Sequence, residues 1–234
     1  MAEEIGTIKI EEIEFTLFYD YDQLRDKKLG RLSDDGKIKW FQLRMEMVFL
    51  EPLRRIFNRQ SVVHRELNSS PESEWPRTAF MTAAFSALLN GIEALGSFIP
   101  MDKTIYGEHY KKSGTNYFNF RGFIKEYMKP WDVQINGTYY KDKRGNSFKS
   151  VYLPLVLWDY FRNGMAHAFV VDGGGIDYKA DLTRWVVEQN GYLEIGPVRF
   201  FDDFQKGVDN FFDDAKSKHR TNFLPRFKET YPNW

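Results

Sequence analysis

The chain of 234 residues contains no cysteine, which excludes a disulfide framework and a thiolate metal site. Histidine is scarce, and His64, His109, His167 and His219 have no paired spacing suited to zinc. His109 and His219 read as surface residues. No Gly-x-x-x-x-Gly-Lys-Ser/Thr loop is present, and Gly173-Gly174-Gly175 does not open a helix after a strand, so a phosphate loop is excluded. Those glycines read as a flexible exit from the helix before them. No serine or threonine sits in a nucleophile-elbow pattern. No stretch approaches the roughly 20 apolar residues of a membrane span. The N-terminal MAEEIGTIKIEE is acidic and lacks a signal-peptide apolar region. These absences lead us to expect a cytoplasmic protein with no membrane partner, in which the sequons at Asn68 and Asn136 are incidental. There is no internal repeat and no low-complexity segment.

Net charge is zero, which argues against a dedicated nucleic-acid coat. The charge is unevenly spread, however. Residues 1–36 hold five Lys/Arg against ten Asp/Glu, residues 37–66 seven against three, and residues 103–149 ten against four. The two basic segments read either as solvated faces or as one phosphate-attracting face. Arg55 and Arg59, four apart on a helix, and Lys141, Lys143 and Arg144, at a loop tip, are the candidate phosphate contacts.

Aromatic residues make up 17% of the chain, including 21 Phe, so the core is rich in rings. Residues 5–19 alternate loosely and predict one or two strands or an extended arm. Asp35-Gly36 signals a turn. A first helix is expected from about Lys39 to Gln60, kinked or split at Pro52. A second runs from about Arg77 to Ile99, where Met81, Phe85, Leu88, Ile92, Leu95 and Ile99 keep a strict four-and-three spacing. Ala79, Ala83, Ala84 and Ala87 crowd nearby and allow close helix approach. A third spans about Asn116 to Met128 and ends at Pro130. Asn136-Gly137 suggests a small hairpin within the loop 131–149. Asn190-Gly191 predicts a stronger one, between Leu182–Glu188 and Tyr192–Val198. A final helix, about Asp202 to Ser217, buries Phe204, Val208, Phe211 and Ala215, with Asp202 and Asp203 favouring its N-terminus. Arg220 to Trp234 reads as a draped or disordered tail.

The stretch VYLPLVLWDYFRNGMAHAFVV, residues 151–171, organises the rest. Leu153, Leu157 and Tyr160 recur at the spacing of a buried helix face, and Gly164 and His167 fall next on that stripe. The helix thus reaches a polar cluster of Arg162, Asn163 and His167. A permanent cation, an amide and an imidazole titrating near neutrality form a phosphate-handling set. Glu93, beside the stripe of the second helix, is either a solvated carboxylate or the partner of Arg162. Arg162 also has Asp159 three residues earlier, an ordinary exposed ion pair. His167 has the competing role of a satisfied core histidine. Trp158 and Phe161 read as core or dimer contacts.

Arg162-Asn163-Gly164-Met165-Ala166-His167 resembles the Arg-x4-6-His motif of HEPN domains, with a polar residue after the Arg. A second match, Arg59 to His64, has no apolar stripe leading into it and carries Gln after the Arg. The resemblance implies an all-α, HEPN-like bundle of four or five helices, here with a β-hairpin appendage after the motif helix and an N-terminal strand or arm. The expected organisation is an arm over 1–36, one helical domain over 37–219 with the hairpin near 182–198, and a tail over 220–234. The resemblance further implies a homodimeric, metal-independent endoribonuclease without cofactor, of the kind found in toxin–antitoxin and phage-defence systems. Arg162, Asn163 and His167 would be catalytic, with an antitoxin or nucleotidyltransferase among the expected partners. The alternative is a non-catalytic module that binds a nucleotide or a protein.

Overall fold

The computed structural model describes residues 7–16, 28–57, 74–100, 110–137, 140–141, 145–146, 148–163, 174–176, 178–187 and 192–231. In chain order these form β1 (Thr7–Ile10), β2 (Ile13–Thr16), α1 (Asp34–Arg44), a π-helical turn (Met45–Leu50), α2 (Glu51–Phe57), α3 (Glu74–Gly96) and α4 (Tyr110–Tyr127). Then come β3 (Gln134–Asn136), β4 (Ser150–Tyr152), α5 (Leu153–Val156), a second π-helical segment (Leu157–Asn163) and β5 (Gly174–Ile176). The chain closes with β6 (Trp185–Val187), β7 (Leu193–Ile195), α6 (Pro197–Lys216) and α7 (Arg220–Thr230). The protein is mostly helical with small β elements. Among the described residues no helix is long and apolar enough to cross a membrane. Two compact units result, Met1–Arg54 with Asp209–Trp234, and Arg55–Val208.

In the first unit, β1 and β2 pair antiparallel, with Ile8 opposite Phe15 and Ile10 opposite Ile13. Ile10 and Phe15 are buried. Their two-residue turn puts Glu11 and Glu12 at φ +50° and +67°. This tight hairpin geometry normally selects Asn or Gly. The turn is held by what Glu11 reaches: its carboxylate accepts the Ser33 backbone N–H at 2.9 Å and also the Ser33 hydroxyl. Those bonds, the hydroxyl first, hold the Glu11 carboxyl below its ordinary range. Ser33 in turn accepts the Gly36 N–H at 3.0 Å and caps α1. Asp35-Gly36 is therefore the first turn of a helix rather than a free turn. A Cβ at Gly36 would come within 2.7 Å of the Glu11 carboxylate.

The helix expected over Lys39 to Gln60 is divided into α1, the π-helical turn and α2, with Pro52 in the first turn of α2. The hydrogen-bond register widens before it, and the Glu51 N–H bonds back five residues to the Glu46 carbonyl. A wider turn relieves the clash of a proline ring with the preceding carbonyls. Residues 220–230, expected to be a tail, are helical. Phe223 and Phe227 of α7 are buried, and with Phe41 and Phe212 they form a ring cluster with centroids 5.6–6.1 Å apart. Burying these rings outweighs the hydrogen bond that Pro225 forfeits inside α7.

In the second unit, α3 and α4 pack along one another. Phe85, Leu88, Ile92 and Leu95 are all buried, as the four-and-three spacing predicts, whereas Met81 and Ile99 are half-buried. The two backbones come close at Gly96, where α4 at Asn119 leaves no room for a side chain. The alanines lie elsewhere on α3: Ala83 is exposed, Ala84 buried, and the side chain of Ala79 falls outside the described residues. β3 pairs with β4 rather than turning at Asn136-Gly137, and the chain between them is a longer excursion. β6 and β7 pair antiparallel as expected, and Asn190-Gly191 lies outside the described residues. β5 then adds a third, parallel strand to give the order β5-β7-β6. Gly174 and Gly175 thus serve in a strand and not as a flexible exit. Gly174 lies against the Phe161 ring, 2.7 Å from where a Cβ would sit, so only glycine lets the strand approach so closely.

α6 begins at Pro197, ahead of the predicted Asp202. Proline suits the first turn, and the cap comes from a distance: Asp181 accepts the Arg199 N–H at 2.9 Å. Asp203 is one turn too deep to cap. It is buried and accepts the Trp131 indole N–H at 3.0 Å and the Arg184 Nε–H at 2.8 Å. Asp203→Ala should destabilise the protein by about 2–3 kcal/mol, because it strands a donor on the fully buried Trp131. Asp203→Asn, which keeps an acceptor oxygen, should cost less. Urea unfolding of the two variants checks the order, and equal losses would contradict it.

Candidate functional site

The motif segment opens with Tyr152 at the N-cap of α5 and Pro154 in its first turn. It widens to π-helical geometry over Leu157–Asn163. This changes which side chains face inward. Leu153, Val156, Leu157, Trp158 and Phe161 are buried, whereas Tyr160, expected on the buried stripe, is only half-buried. A π-helical turn takes about one residue more than an α-turn, so the inward position moves from Tyr160 to Phe161. Trp158 packs on Tyr117 and Phe120, with centroids 6.0 and 5.4 Å apart, and Phe161 packs on Phe85 at 6.1 Å. Both rings are core contacts within the protomer. Burial, before any other cause, raises the ionisation range of the Tyr117 hydroxyl, so it stays neutral.

Arg162 projects from this frame. Its Nε and Nη2 donate to one oxygen of Glu93, at 3.0 and 2.7 Å. Its Nη1 donates to the Asn163 side-chain oxygen at 3.3 Å. The guanidinium carbon lies 4.7 Å from the centroid of the Trp158 ring. The two charged side chains are 20% and 16% exposed, between surface and core, so their pairing is screened less than a surface ion pair. Asp159, the rival partner of Arg162, accepts the Tyr140 hydroxyl at 2.5 Å. The Tyr160 hydroxyl accepts the Lys141 backbone N–H at 2.9 Å. The loop after β3 is therefore tied to the motif segment at two points.

The structure thus brings Arg162, Asn163 and Glu93 together. Lys141 is exposed and its backbone is anchored to the motif segment, while Arg55 is exposed on α2. His167, Gly164, Arg59, Lys143 and Arg144 lie outside the described residues. Sequence reading missed the aromatic floor under Arg162, although Trp158 and Arg162 stand four apart, the spacing at which helical side chains meet. It also missed the tethers from Tyr140 and Tyr160, for which no local pattern exists. Chemically, the cluster fixes a permanent cation in orientation: one edge is committed to a carboxylate, one face to an indole, and the Nη1 end points toward an amide. A planar donor held in this way suits a bidentate oxyanion such as phosphate.

Comparison with protein-family models, curated protein sequences and solved structures finds no match to this chain.

Proposed function

We propose that the chain is a HEPN-like, metal-independent endoribonuclease whose site is built on Arg162, Asn163 and His167. The observation that supports this best is the fixed guanidinium of Arg162, braced by Glu93 and Trp158 with its Nη1 end beside Asn163. Preorganised donors of this kind stabilise charge growing on a transferring phosphoryl group. His167 would take the proton of the ribose 2′-hydroxyl as that oxygen attacks phosphorus. The bond from phosphorus to the 5′-oxygen breaks, the leaving oxygen takes up a proton, and a 2′,3′-cyclic phosphate remains. RNA is the substrate because the nucleophile belongs to the ribose. Asn163 would orient the phosphate or His167. Arg55, Arg59, Lys141, Lys143 and Arg144 would contact the RNA backbone.

One motif supplies few groups for a reaction that needs both a base and an acid, so we place two motifs around one cleft in a homodimer. Because Trp158 and Phe161 are used inside the protomer, the interface must be built from other residues. One observation favours the second reading, a non-catalytic binding module: Glu93 already neutralises Arg162 and would repel a second anion brought to the same edge. Incubation of purified protein with single-stranded RNA separates the two readings. Cleavage unchanged by EDTA is expected; binding without cleavage would support the module.

A further inference from the structure

The β3–β4 ribbon turns one face outward. Gln134 and Asn136 on β3, and Ser150 and Tyr152 on β4, are all exposed, while Val151 between the last two is buried. The pairs Gln134–Tyr152 and Asn136–Ser150 stand opposite one another, so the four side chains share a face. Phe148, two residues before Ser150, is exposed as well. Phe148 and Tyr152 are each 39% exposed, whereas most other aromatic residues among those described are buried.

Both rings are held from behind. Phe148 lies on the buried ring of Tyr140, centroids 5.6 Å apart. Tyr152 has the Arg121 guanidinium 4.3 Å from its centroid, and the Arg121 side chain is only 16% exposed. Lys141 and Lys149 are exposed, and the segment of sequence that holds them, residues 103–149, carries ten Lys/Arg against four Asp/Glu. Two braced rings with amides on the paired strand and exposed lysines near them in the chain match what unpaired nucleotides require. Bases stack on rings, amides reach base edges, and lysines meet phosphates. A protein partner fits this face less well, because the other outward side chains of the ribbon are Gln134, Asn136 and Ser150 and not the apolar residues of an interface core.

We propose that this ribbon face is a stacking platform for single-stranded RNA, taking unpaired bases on Phe148 and Tyr152 and backbone phosphates on Lys141 and Lys149. It rests on RNA being the substrate of the Arg162 site, and it would hold the strand that the site cuts. Stacking of this kind tolerates any base, so the platform contributes affinity and placement rather than sequence choice.

The test is fluorescence anisotropy with a 2′-O-methyl oligouridylate of about ten nucleotides, which the protein can bind but not cleave. Phe148→Ala and Tyr152→Ala should each weaken binding roughly tenfold. Tyr152→Phe should bind like the parent. Lys141→Glu with Lys149→Glu, which leaves both rings in place, should weaken binding and flatten its salt dependence. Melting curves of each variant separate lost binding from lost folding. Unchanged affinity in the folded double ring variant would overturn the platform, and so would a parent protein that fails to bind the oligonucleotide. A parent that binds through the rings yet leaves unmodified RNA intact would support the platform and remove the nuclease reading instead.

Discussion

Gly96→Ala should lower the melting temperature by roughly 6–12 °C, corresponding to about 3 kcal/mol lost to overpacking. Glycine to alanine at a position of ordinary helical φ usually stabilises a protein, since it removes freedom from the unfolded chain. Here the sign reverses for a steric reason. A Cβ on Gly96 would lie 1.8 Å from the Asn119 carbonyl oxygen and 2.5 Å from its carbon. Both atoms are backbone of α4, so no side chain can swing aside and the helix itself must move. The second unit supplies its own control at Gly122, in the middle of α4, where a Cβ would meet nothing within 4 Å. Gly122→Ala should therefore stabilise by about 0.5–1 kcal/mol. Thermal melts of the two variants should move in opposite directions. A Gly96→Ala protein as stable as its parent would mean that α3 and α4 do not meet where the structure places them.

On the proposed nuclease reading, Arg162→Lys should reduce RNA cleavage by roughly 10²–10³-fold while shifting the melting temperature little. The guanidinium performs two tasks at once. Nε and Nη2 hold Glu93, and Nη1 extends toward Asn163. A lysine keeps the charge, and so keeps most of the attraction to Glu93, but its single ammonium cannot serve both ends. It also loses the flat contact with the Trp158 ring. Parallel measurement of cleavage rate and melting curve separates the site from the fold. Full activity in the lysine variant would show that Arg162 only neutralises Glu93. A large fall in melting temperature would mark the pair as a structural bridge between α3 and the motif segment.

The parts of this molecule that were legible in sequence are those governed by local periodicity. The stripe from Phe85 to Leu95 defines α3 because each apolar residue recurs once per turn, and Glu93 could be offered to Arg162 because it stands beside that stripe. The motif segment was readable as a helix but not as a π-helix. Its widened register depends on hydrogen bonding and on packing against Tyr117, Phe120 and Phe85, none of which is encoded in the spacing of residues 153–163. The same gap placed Tyr160 inside and left Phe161 undecided between core and dimer contact. Caps supplied from a distance were equally hidden. Asp181 caps α6 from well before it in the chain, where the nearby Asp202 and Asp203 pointed to a later start, and Glu11 likewise braces Ser33, the residue that caps α1. β5 was obscured because two of its three residues are glycine, which carries no strand pattern. α7 was obscured by Pro225, although Phe223 and Phe227 stand at helical spacing.

The most direct test of the nuclease reading is to follow cleavage of a defined RNA by the parent protein and by His167→Ala in EDTA, and to identify the new 3′ end. Fragments ending in a 2′,3′-cyclic phosphate are expected from the parent, with a rate roughly 10²–10⁴-fold lower in the variant and a melting temperature close to that of the parent. An equal rate in the two proteins, or no cleavage by the parent, would contradict the assignment of Arg162 and His167 to RNA cleavage.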